Sequence, residues 1–433
     1  MPHRLNFADP DFQARVNALL EMKRESDADV DAAVAEIIAD VRRRGAEAVA
    51  ELTRRFDGFD VDAGSLLVTT EEIDAGVAAV PSEQAEALAL AAERIRAYHE
   101  RQLPEDRSWT DAAGAEIGWR WGPVDSAGLY VPGGLASYPS SVLMNAIPAT
   151  VAGVKRLVMA APTPNGELNP LVLLAARLSG VAEIYRMGGA QAIAAFAFGA
   201  DPIPAVDKIT GPGNAYVAAA KRRVYGQVGI DMIAGPSEIC IIADADNNPD
   251  WLAMDLMSQA EHDQSAQSIL ITDEPGLAEA VGASVDRMLD TLQRRDVAGP
   301  SWRNYGALVV VRDLDQAADL TNRLSPEHLE ICTADADAIS RKIRHAGAIF
   351  LGPHTPEAIG DYVGGPNHVL PTARSARFSS GLSVLDFMKR TTIARMTPGA
   401  LSAIGPAAET LAQAEGLEAH GLSVRLRLDA MNE

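Results

Sequence analysis

From about residue 127 onwards, the chain alternates short apolar runs with helical segments. Nine of these runs are predicted strands: 127–132, 154–162, 182–187, 207–211, 238–244, 267–273, 307–313, 329–334 and 346–352. Their continuous apolar character is typical of strands that are covered on both faces, and helical segments lie between most of them. The pattern therefore predicts parallel sheets with helical crossovers, an α/β fold. Because nine strands are many for one sheet, we expect two α/β domains.

The segments outside this region have other patterns. Residues 10–55 and 83–103 are predicted to be helical, residues 114–124 to form a strand, and residues 395–433 to form a closing helical segment. The first 20 residues lack a basic stretch followed by an apolar one, so no signal peptide is expected. No run of ~18 apolar residues free of charge occurs, so no membrane span is expected. The expected compartment is the cytoplasm.

Charge and cysteine content exclude several classes of protein. The 433 residues include 38 basic and 59 acidic side chains, and the formal net charge is -21. Without a positive excess the chain is poorly suited to bind nucleic acid, whereas it tolerates cationic ligands. The two cysteines, Cys240 and Cys332, are too few for a disulfide scaffold or a zinc site of four thiolates. Their small number favours a reducing compartment.

Three glycine-containing turns follow predicted strands, and each one opens a helix. They lie within residues 127–149, 187–199 and 209–226. The first contains Gly133 and Gly134, the second Gln191 and the third Asn214. None matches the G-x-G-x-x-G fingerprint, since Tyr216 stands where the third glycine would be. Any one of them is as readily an ordinary loop. Three at successive strand-to-helix junctions predict a ligand at the carboxyl end of a parallel sheet.

Residues that could bind a metal are spread over three distant stretches. Gln259 and His262 are three residues apart on a predicted helix and therefore face one side. Asp361 lies in a glycine-rich loop, and His420 lies near the end of the sequence. Two imidazoles and two oxygen donors are compatible with zinc or manganese. Each of these residues alone commonly occurs without any metal. Their spacing in the sequence does not establish that the four lie close together.

Further polar residues point to acid/base chemistry or to substrate contacts. Glu327 and His328 are adjacent, after a proline turn and before a strand, and such a pair suits general acid/base catalysis. Ser237 lies in a sharp turn, where it either faces a ligand or hydrogen-bonds its own backbone. His368 and Glu415 lie in the same stretches as Asp361 and His420. Taken singly, each is equally well explained as an exposed loop residue.

Taken together, these stretches resemble the histidinol dehydrogenase family. The similarity extends from about residue 27 to about residue 427. The motifs that carry it are GLYVPGGLASYPSSVLMNAIPA, GPGNAYVAAAKR, IDMIAGPSE, SQAEHD, SPEHLE, GDYVGGPNHVLPT and EGLEAH. They are long and occur in the family's order over nearly the whole chain, so chance does not explain them.

The resemblance implies an activity, its cofactors and its partners. The expected reaction is the four-electron oxidation of L-histidinol to L-histidine by two NAD+, through enzyme-bound L-histidinaldehyde, as the last step of histidine biosynthesis. One Zn2+ per subunit and a homodimer with shared active sites are expected, without nucleic acid or membrane as a partner. Zinc has no accessible redox change, so it would orient and polarise the substrate instead of carrying electrons.

The resemblance also assigns roles to individual residues. The expected zinc ligands are Gln259, His262, Asp361 and His420, the last from the partner subunit. The expected acid/base pair is Glu327 and His328, and the expected NAD contacts are Tyr130, Gln191 and Asn214. The expected substrate contacts are Ser237, Gln259, His262, His328, Asp361, His368, Glu415 and His420.

The fold that the resemblance implies has two incomplete Rossmann-like domains with an atypical mode of dinucleotide binding, plus small helical segments at both ends. The expected boundaries are 1–26 for an N-terminal helical segment, 27–129 with 239–381 for the first domain, and 130–238 for the second, inserted domain. Residues 382–433 are expected to contribute to the partner's active site. The missing G-x-G-x-x-G fingerprint agrees with this atypical cofactor mode.

Three other functions remain open at this point. A related zinc- and NAD-dependent dehydrogenase could act on another small polyol, for example a sulfonated diol, but an anionic substrate would call for a cation in place of Glu415. A zinc hydrolase could use Glu327 to activate water, but the three glycine turns would then have no dinucleotide to hold. A non-catalytic scaffold would not need the acid/base and metal candidates at all.

Overall fold

The computed structural model describes residues 1–22, 28–132 and 138–431 and has an α/β architecture with three sheets. The strands are β1 His3–Asn6, β2 Arg107–Thr110, β3 Glu116–Pro123, β4 Ser126–Tyr130, β5 Arg156–Ala161, β6 Glu183–Arg186, β7 Lys208–Thr210, β8 Gly229–Ile230, β9 Glu238–Ala243, β10 Gln267–Thr272, β11 Ala307–Val310, β12 His328–Cys332, β13 Ala348–Leu351 and β14 Met388–Arg395. All nine strands predicted from the apolar runs are present.

The helices fill the intervals between these strands. They are α1 Phe12–Leu20, α2 Ala28–Arg44, α3 Ala46–Asp57, α4 Thr70–Ala78, α5 Ser82–Glu100, α6 Pro139–Ala152, α7 Pro170–Ser179, α8 Gly189–Phe198, α9 Ala215–Val224, α10 Pro249–Ala260, α11 Pro275–Leu289, α12 Arg295–Tyr305, α13 Leu314–Leu324, α14 Ala336–Ser340, α15 Glu357–Tyr362, α16 Pro398–Ala414 and α17 Glu418–Ala430. Among the described helices, none is both long and apolar enough to cross a membrane.

The first parallel sheet has five strands in the order β6-β5-β4-β7-β8. Counted from β4, this order is 3-2-1-4-5, the order of a Rossmann-type sheet. Helices cover both faces. The core on one side includes Val34, Val49 and Phe196, and the core on the other side includes Ile95 and Leu143. In a sheet of this order, ligands bind outside the carboxyl ends of the strands where the order reverses, between β4 and β7.

The second parallel sheet has six strands in the order β1-β11-β10-β9-β12-β13. Counted from β9, five of these strands repeat the order 3-2-1-4-5, and β1 is added at the edge. Buried side chains such as Leu320 and Leu256 cover its two faces. Two parallel sheets of this kind confirm the predicted fold class, whereas the residue boundaries expected for the domains stay a prediction.

The N-terminal segment differs from the helix expected for residues 1–26. It contains α1, but it begins with β1, which pairs in parallel with β11. Four residues are too few for a strand period to stand out in the sequence, and β1 is specified by the open edge of β11. This pairing ties the start of the chain to the second sheet.

The C-terminal segment has the predicted helices, preceded by an unpredicted strand. Strand β14 pairs antiparallel with β3 and forms a small sheet in the order β14-β3-β2. Helices α16 and α17 pack against each other near Gly405. Large apolar side chains on these two helices stay exposed, including Leu411 at 63% and Leu426 at 66%.

A buried histidine links helix α5 to the loop that follows α15. His99 is 0% exposed, and its Nδ1 lies 2.7 Å from the carbonyl oxygen of Ile95. Because that oxygen can only accept, Nδ1 carries the proton and Nε2 accepts from the Asn367 amide at 3.3 Å. The same amide donates to the carbonyl of Met144 at 2.6 Å. Burial lowers the pKa of His99, so its imidazole is neutral in the folded chain.

This buried imidazole predicts a pH dependence of stability. Below pH ~6.5 the unfolded chain protonates His99 and the folded chain does not, so the free energy of unfolding falls as pH falls towards the lowered folded pKa. The expected contribution of His99 is at most ~1.4 kcal/mol per pH unit. In His99→Gln this contribution is removed, and urea titrations between pH 7.5 and 5.5 should give a shallower decline.

The matched control is His354→Gln, since His354 is exposed in the folded chain and is hydrated in both states. This control should keep the wild-type decline at the same protein concentration. A His99→Gln variant with the wild-type pH dependence would show that His99 takes up its proton equally in both states.

Candidate active site

The residues expected to contact NAD lie at the carboxyl end of the five-stranded sheet. Tyr130 ends β4, Gln191 lies in the first turn of α8 and Asn214 caps α9. This is the reversal point of the strand order, where ligands bind in such sheets. Gly133 and Gly134, the first predicted glycine turn, lie outside the described residues.

Tyr130 and Gln191 meet at the start of α8. The Tyr130 hydroxyl accepts a hydrogen bond from the Gly189 amide at 3.1 Å, and burial raises the pKa of Tyr130 to about 12. Gln191 is 1% exposed, and its Oε1 has no hydrogen-bond partner among the described residues. A buried carboxamide oxygen without a partner is costly in a folded protein and indicates a ligand group that donates to it.

Asn214 has a structural role at the start of α9. Its Oδ1 accepts from the amides of Tyr216 at 3.1 Å and Val217 at 3.2 Å, which is the geometry of a helix N-cap. The side chain therefore fixes the start of α9 beside the end of β7. The three predicted NAD residues surround two helix N-termini, whose partial positive charge favours a pyrophosphate.

The predicted acid/base pair lies at the amino end of the six-stranded sheet. Glu327 precedes β12 and His328 is its first residue, paired in register with Ile239 of β9. His328 Nδ1 lies 3.0 Å from the carbonyl oxygen of Glu238 and 3.0 Å from Oε1 of Gln259. Since the carbonyl oxygen can only accept, the proton sits on Nδ1 and the lone pair on Nε2.

The environment of His328 keeps this imidazole neutral. Burial lowers its pKa to about 4, and the ring is 5% exposed. Its Nε2 has no hydrogen-bond partner among the described residues and lies 3.5 Å from Oε1 of Glu357. A neutral, buried imidazole with an unshared nitrogen can accept a proton from a substrate.

Glu327 is held on the other side of the same imidazole. Its Oε2 accepts from the Glu238 amide at 2.9 Å and lies 3.7 Å from Nδ1 of His328. Ser237 directly precedes β9, half-buried, and its carbonyl accepts from the Gln267 amide at 2.9 Å. Pairing of β9 with β12 thus brings together residues that are 90 positions apart.

The predicted metal ligands of this chain meet beside His328, except for His420. Nε2 of His262 lies 4.0 Å from Oδ2 of Asp361, whose Oδ1 lies 3.4 Å from Nδ1 of His368. Gln259 is wholly buried and contacts His328. One ligand atom each from His328, Glu357 and Asp361 lie within 4.8 Å of one another. Nitrogen and oxygen donors at these distances form a candidate metal centre.

The charges of this centre favour a cation. Burial and the nearby Asp361 carboxylate raise the pKa of Glu357 to about 10. Burial alone would also raise the pKa of Asp361, but the hydrogen bond from His368 and the neighbouring histidines hold it well below its usual range. Nε2 of Gln259 and Oε1 of Glu357 have no hydrogen-bond partner among the described residues. Buried carboxyl groups require a proton or a cation, so the donor set fits a divalent ion.

Sequence reasoning missed two residues of this centre. Glu238 supplies the carbonyl that orients His328, and Glu357 lies against its Nε2. Glu357 precedes Asp361 by four residues on α15, so both side chains face one side of that helix. This spacing is the signal that could have identified Glu357. Glu238 acts through its backbone, which leaves no signal in the sequence.

Glu415 and His420 are not brought to this centre. Glu415 caps the end of α16 and His420 lies on α17, and both are exposed. The cluster formed within the described chain is His328, Glu357 and Asp361 without either of them. The expectation that a second subunit supplies them stays a prediction.

The chain is similar in sequence and in structure to the members of one protein family. The profile of the family described as histidinol dehydrogenase matches residues 20–428. The chain is 68% identical over 433 residues to the histidinol dehydrogenase of Cereibacter sphaeroides and 59% identical over 433 residues to that of Rhizobium meliloti, with 100% of each chain covered in both pairs. The crystal structure of histidinol dehydrogenase from Elizabethkingia anophelis superposes with a TM-score of 0.95 at 34% identity, covering 100% of this chain and 99% of that one.

Proposed function

Because the chain belongs to the histidinol dehydrogenase family, we propose that it oxidises L-histidinol to L-histidine with two NAD+, through enzyme-held L-histidinaldehyde. The observation that carries this proposal is the geometry of His328. Its protonated Nδ1 is held by two oxygen acceptors, and its Nε2 lone pair faces the cluster of candidate metal ligands.

The first half-reaction needs a base for the alcohol. As a hydride leaves the carbinol carbon for NAD+, Nε2 of His328 takes the hydroxyl proton. The imidazolium formed is stabilised because Nδ1–H already donates towards the Glu238 carbonyl and Oε1 of Gln259. General-base assistance of this kind contributes about 10²–10⁴-fold to a rate.

The second half-reaction needs water as well as a second NAD+. Glu327 takes a proton from the water that attacks the aldehyde carbon, and the hydrated aldehyde then gives its hydride to the second NAD+. Each histidinol therefore yields one carboxylate, two NADH and three protons. Burial of the site favours retention of the aldehyde, because bulk water cannot displace it freely.

The residues that would hold zinc are Gln259, His262 and Asp361, with His420 of the partner subunit. When bound, the ion supplies Lewis-acid polarisation and a fixed point for the substrate's nitrogen atoms. The acidic surroundings suit the cationic amine of histidinol, and Glu415 of the partner subunit would add to them. An anionic diol is less well matched to these charges.

NAD+ would bind at the carboxyl end of the five-stranded sheet, near Tyr130, Gln191 and Asn214. The unpartnered Oε1 of Gln191 supports this placement, since a carboxamide on the ligand would satisfy it. Val363 and Val369 pack into the core beneath that sheet. The segment from Asp361, near the end of α15, to His368 in the following loop therefore adjoins both the five-stranded sheet and His328.

The direct test is the yield of reduced cofactor from a limiting amount of L-histidinol. We expect two NADH per histidinol, and we expect the activity to disappear after removal of divalent ions by a chelator and to return with Zn2+. A yield of one NADH would mean that the aldehyde is the product, and an unchanged rate in the metal-free protein would exclude the metal role.

Substitutions of the two proposed bases should slow different half-reactions. His328→Asn should lower kcat for histidinol by about 10²–10⁴-fold with unchanged zinc content, because it removes a base and no proposed ligand. Glu327→Gln should slow oxidation of supplied L-histidinaldehyde more than oxidation of histidinol to the aldehyde. Exposed His354→Asn is the matched control and should retain full activity.

Two results with these variants would contradict the roles proposed for His328 and Glu327. Loss of zinc from His328→Asn would place this residue among the ligands, as its closeness to Glu357 and Asp361 allows. An equal loss in both half-reactions of Glu327→Gln would contradict its assignment to the hydration step.

The shared site predicts complementation between inactive subunits. His420→Asn and Asp361→Asn should each lose zinc and activity. When equal amounts are unfolded together and refolded, about a quarter of the wild-type activity should return, because half of the dimers are mixed and each of these has one intact site. Mixtures that stay inactive although both variants dimerise would show that each subunit builds its own site.

A further inference from the structure

A buried ion pair lies directly behind the loop that joins β7 to α9. Its members are Lys221, two turns along α9, and Asp231, which follows β8. Their side chains are 3% and 1% exposed. Neither residue belongs to the acid/base pair, to the metal ligands or to the expected cofactor contacts, so the proposed chemistry does not account for their burial.

Both members of the pair hold the same backbone residue. The amide of Gly211 donates to Oδ2 of Asp231 at 2.8 Å, and the carbonyl of Gly211 accepts from Nζ of Lys221 at 3.0 Å. The amide of Asp231 in turn donates to the carbonyl of Ile209 at 3.2 Å. Every polar backbone group of Gly211 is therefore fixed by one of two opposite charges that also contact each other.

Gly211 occupies a position that only glycine can fill. Its φ of +118° is in the left-handed region, and a Cβ there would lie 2.0 Å from the carbonyl oxygen of Tyr130. The loop thus passes in direct contact with the end of β4, at the point where the strand order reverses. Three residues later, Asn214 caps α9.

An ion pair is an unusual way to stabilise this region. Burying two charges removes their hydration, and an apolar pair of similar volume is often as stable. An apolar pair would, however, leave the amide and the carbonyl of Gly211 without partners, and the loop would relax away from Tyr130. The pair is therefore explained by the position it imposes on the loop more readily than by stability.

We propose that the Lys221–Asp231 pair is a positioning device for dinucleotide binding, because it locks Gly211 against Tyr130 and sets the start of α9 through Asn214. This inference rests on the proposed use of NAD+ at this sheet. Lys221 and Asp231 act through the loop and do not touch the cofactor. Loss of the pair weakens binding of NAD+ and leaves the acid/base centre, at the other sheet, unchanged.

The test compares two ion pairs on the same helix. Lys221→Met removes the donor to Gly211, whereas Arg223→Met breaks the exposed pair of Arg223 with Asp31, which includes a bond of 2.7 Å and does not contact the loop. In Lys221→Met we expect the Kd and KM for NAD+ to rise about tenfold, the effect of one lost hydrogen bond with its charge. The KM for histidinol at saturating NAD+ and the zinc content should stay within twofold. Arg223→Met should match the wild type in all of them.

A second variant covers the case in which the uncompensated charge of Asp231 prevents folding. Lys221→Met combined with Asp231→Asn leaves no buried charge, keeps an acceptor for the Gly211 amide and still lacks the donor to its carbonyl. We expect this double variant to fold and to bind NAD+ about tenfold more weakly than the wild type. Titration of NAD+ by calorimetry and circular dichroism of the same samples measure the two properties.

Two results would overturn the inference, and they are distinguishable from failure of the proposed function. NAD+ binding within twofold of the wild type in a folded variant would show that the pair does not set the site. An equal rise in the KM values for NAD+ and histidinol would show a general structural defect. Wild-type protein that fails to bind NAD+ would instead overturn the proposed function, and this inference with it.

Discussion

The parallel pairing of β9 with β12 is the constraint on which the candidate active site depends. It places His328 beside Glu238 and Ile239, residues about 90 positions earlier in the chain. One backbone carbonyl at the start of β9 then decides which nitrogen of His328 carries the proton. Helix α10 follows β9, and its last turn places Oε1 of Gln259 beside Nδ1 of His328. A shift of register by one residue would turn His328 to the opposite face of the sheet, and its contacts with the Glu238 carbonyl and Gln259 would be lost.

The two sheets share a strand order, but the predicted cofactor contacts and the predicted acid/base pair lie at opposite ends of their strands. The five-stranded sheet offers the carboxyl ends of its strands, as Rossmann-type sheets do. In the six-stranded sheet the predicted acid/base pair lies at the amino end, where Glu327 precedes β12 and His328 is its first residue. At the carboxyl end of this sheet, the Asn247 side chain donates to the carbonyls of Asp244 and Cys332, and the Asp244 carboxylate accepts from the Ala334 amide. Polar groups at the end of the sheet where ligands usually bind are therefore hydrogen-bonded within the protein.

The sequence predicted the strands and the residues that converge, but not the reasons for their convergence. Apolar runs report burial directly, so the nine core strands were found, whereas the four residues of β1 had no detectable period. Residue type and family resemblance identified Gln259, His262, His328 and Asp361. The contribution of Glu238 and the role of Gly211 are backbone effects that depend on pairing across the sheet. No local pattern encodes them, and the same is true of pKa shifts that arise from burial.

Buried carboxyl groups lie close together in the candidate metal centre, and groups with strongly shifted pKa values of this kind cluster at functional sites. Glu357 is 1% exposed and lies among other acids, and its pKa is raised to about 10 because ionisation there is disfavoured. Asp361 is kept ionised only by the imidazoles around it. Carboxylates buried without a cation destabilise the folded state, because their charge loses its hydration. A buried, protonated histidine that offsets such a charge loses its own hydration as well. A divalent ion would remove this conflict, since it offsets the charge of carboxylates at its site and displaces the protons of carboxyl groups that bind it. The folded chain is thus poised to gain stability from the same ion that its proposed chemistry requires.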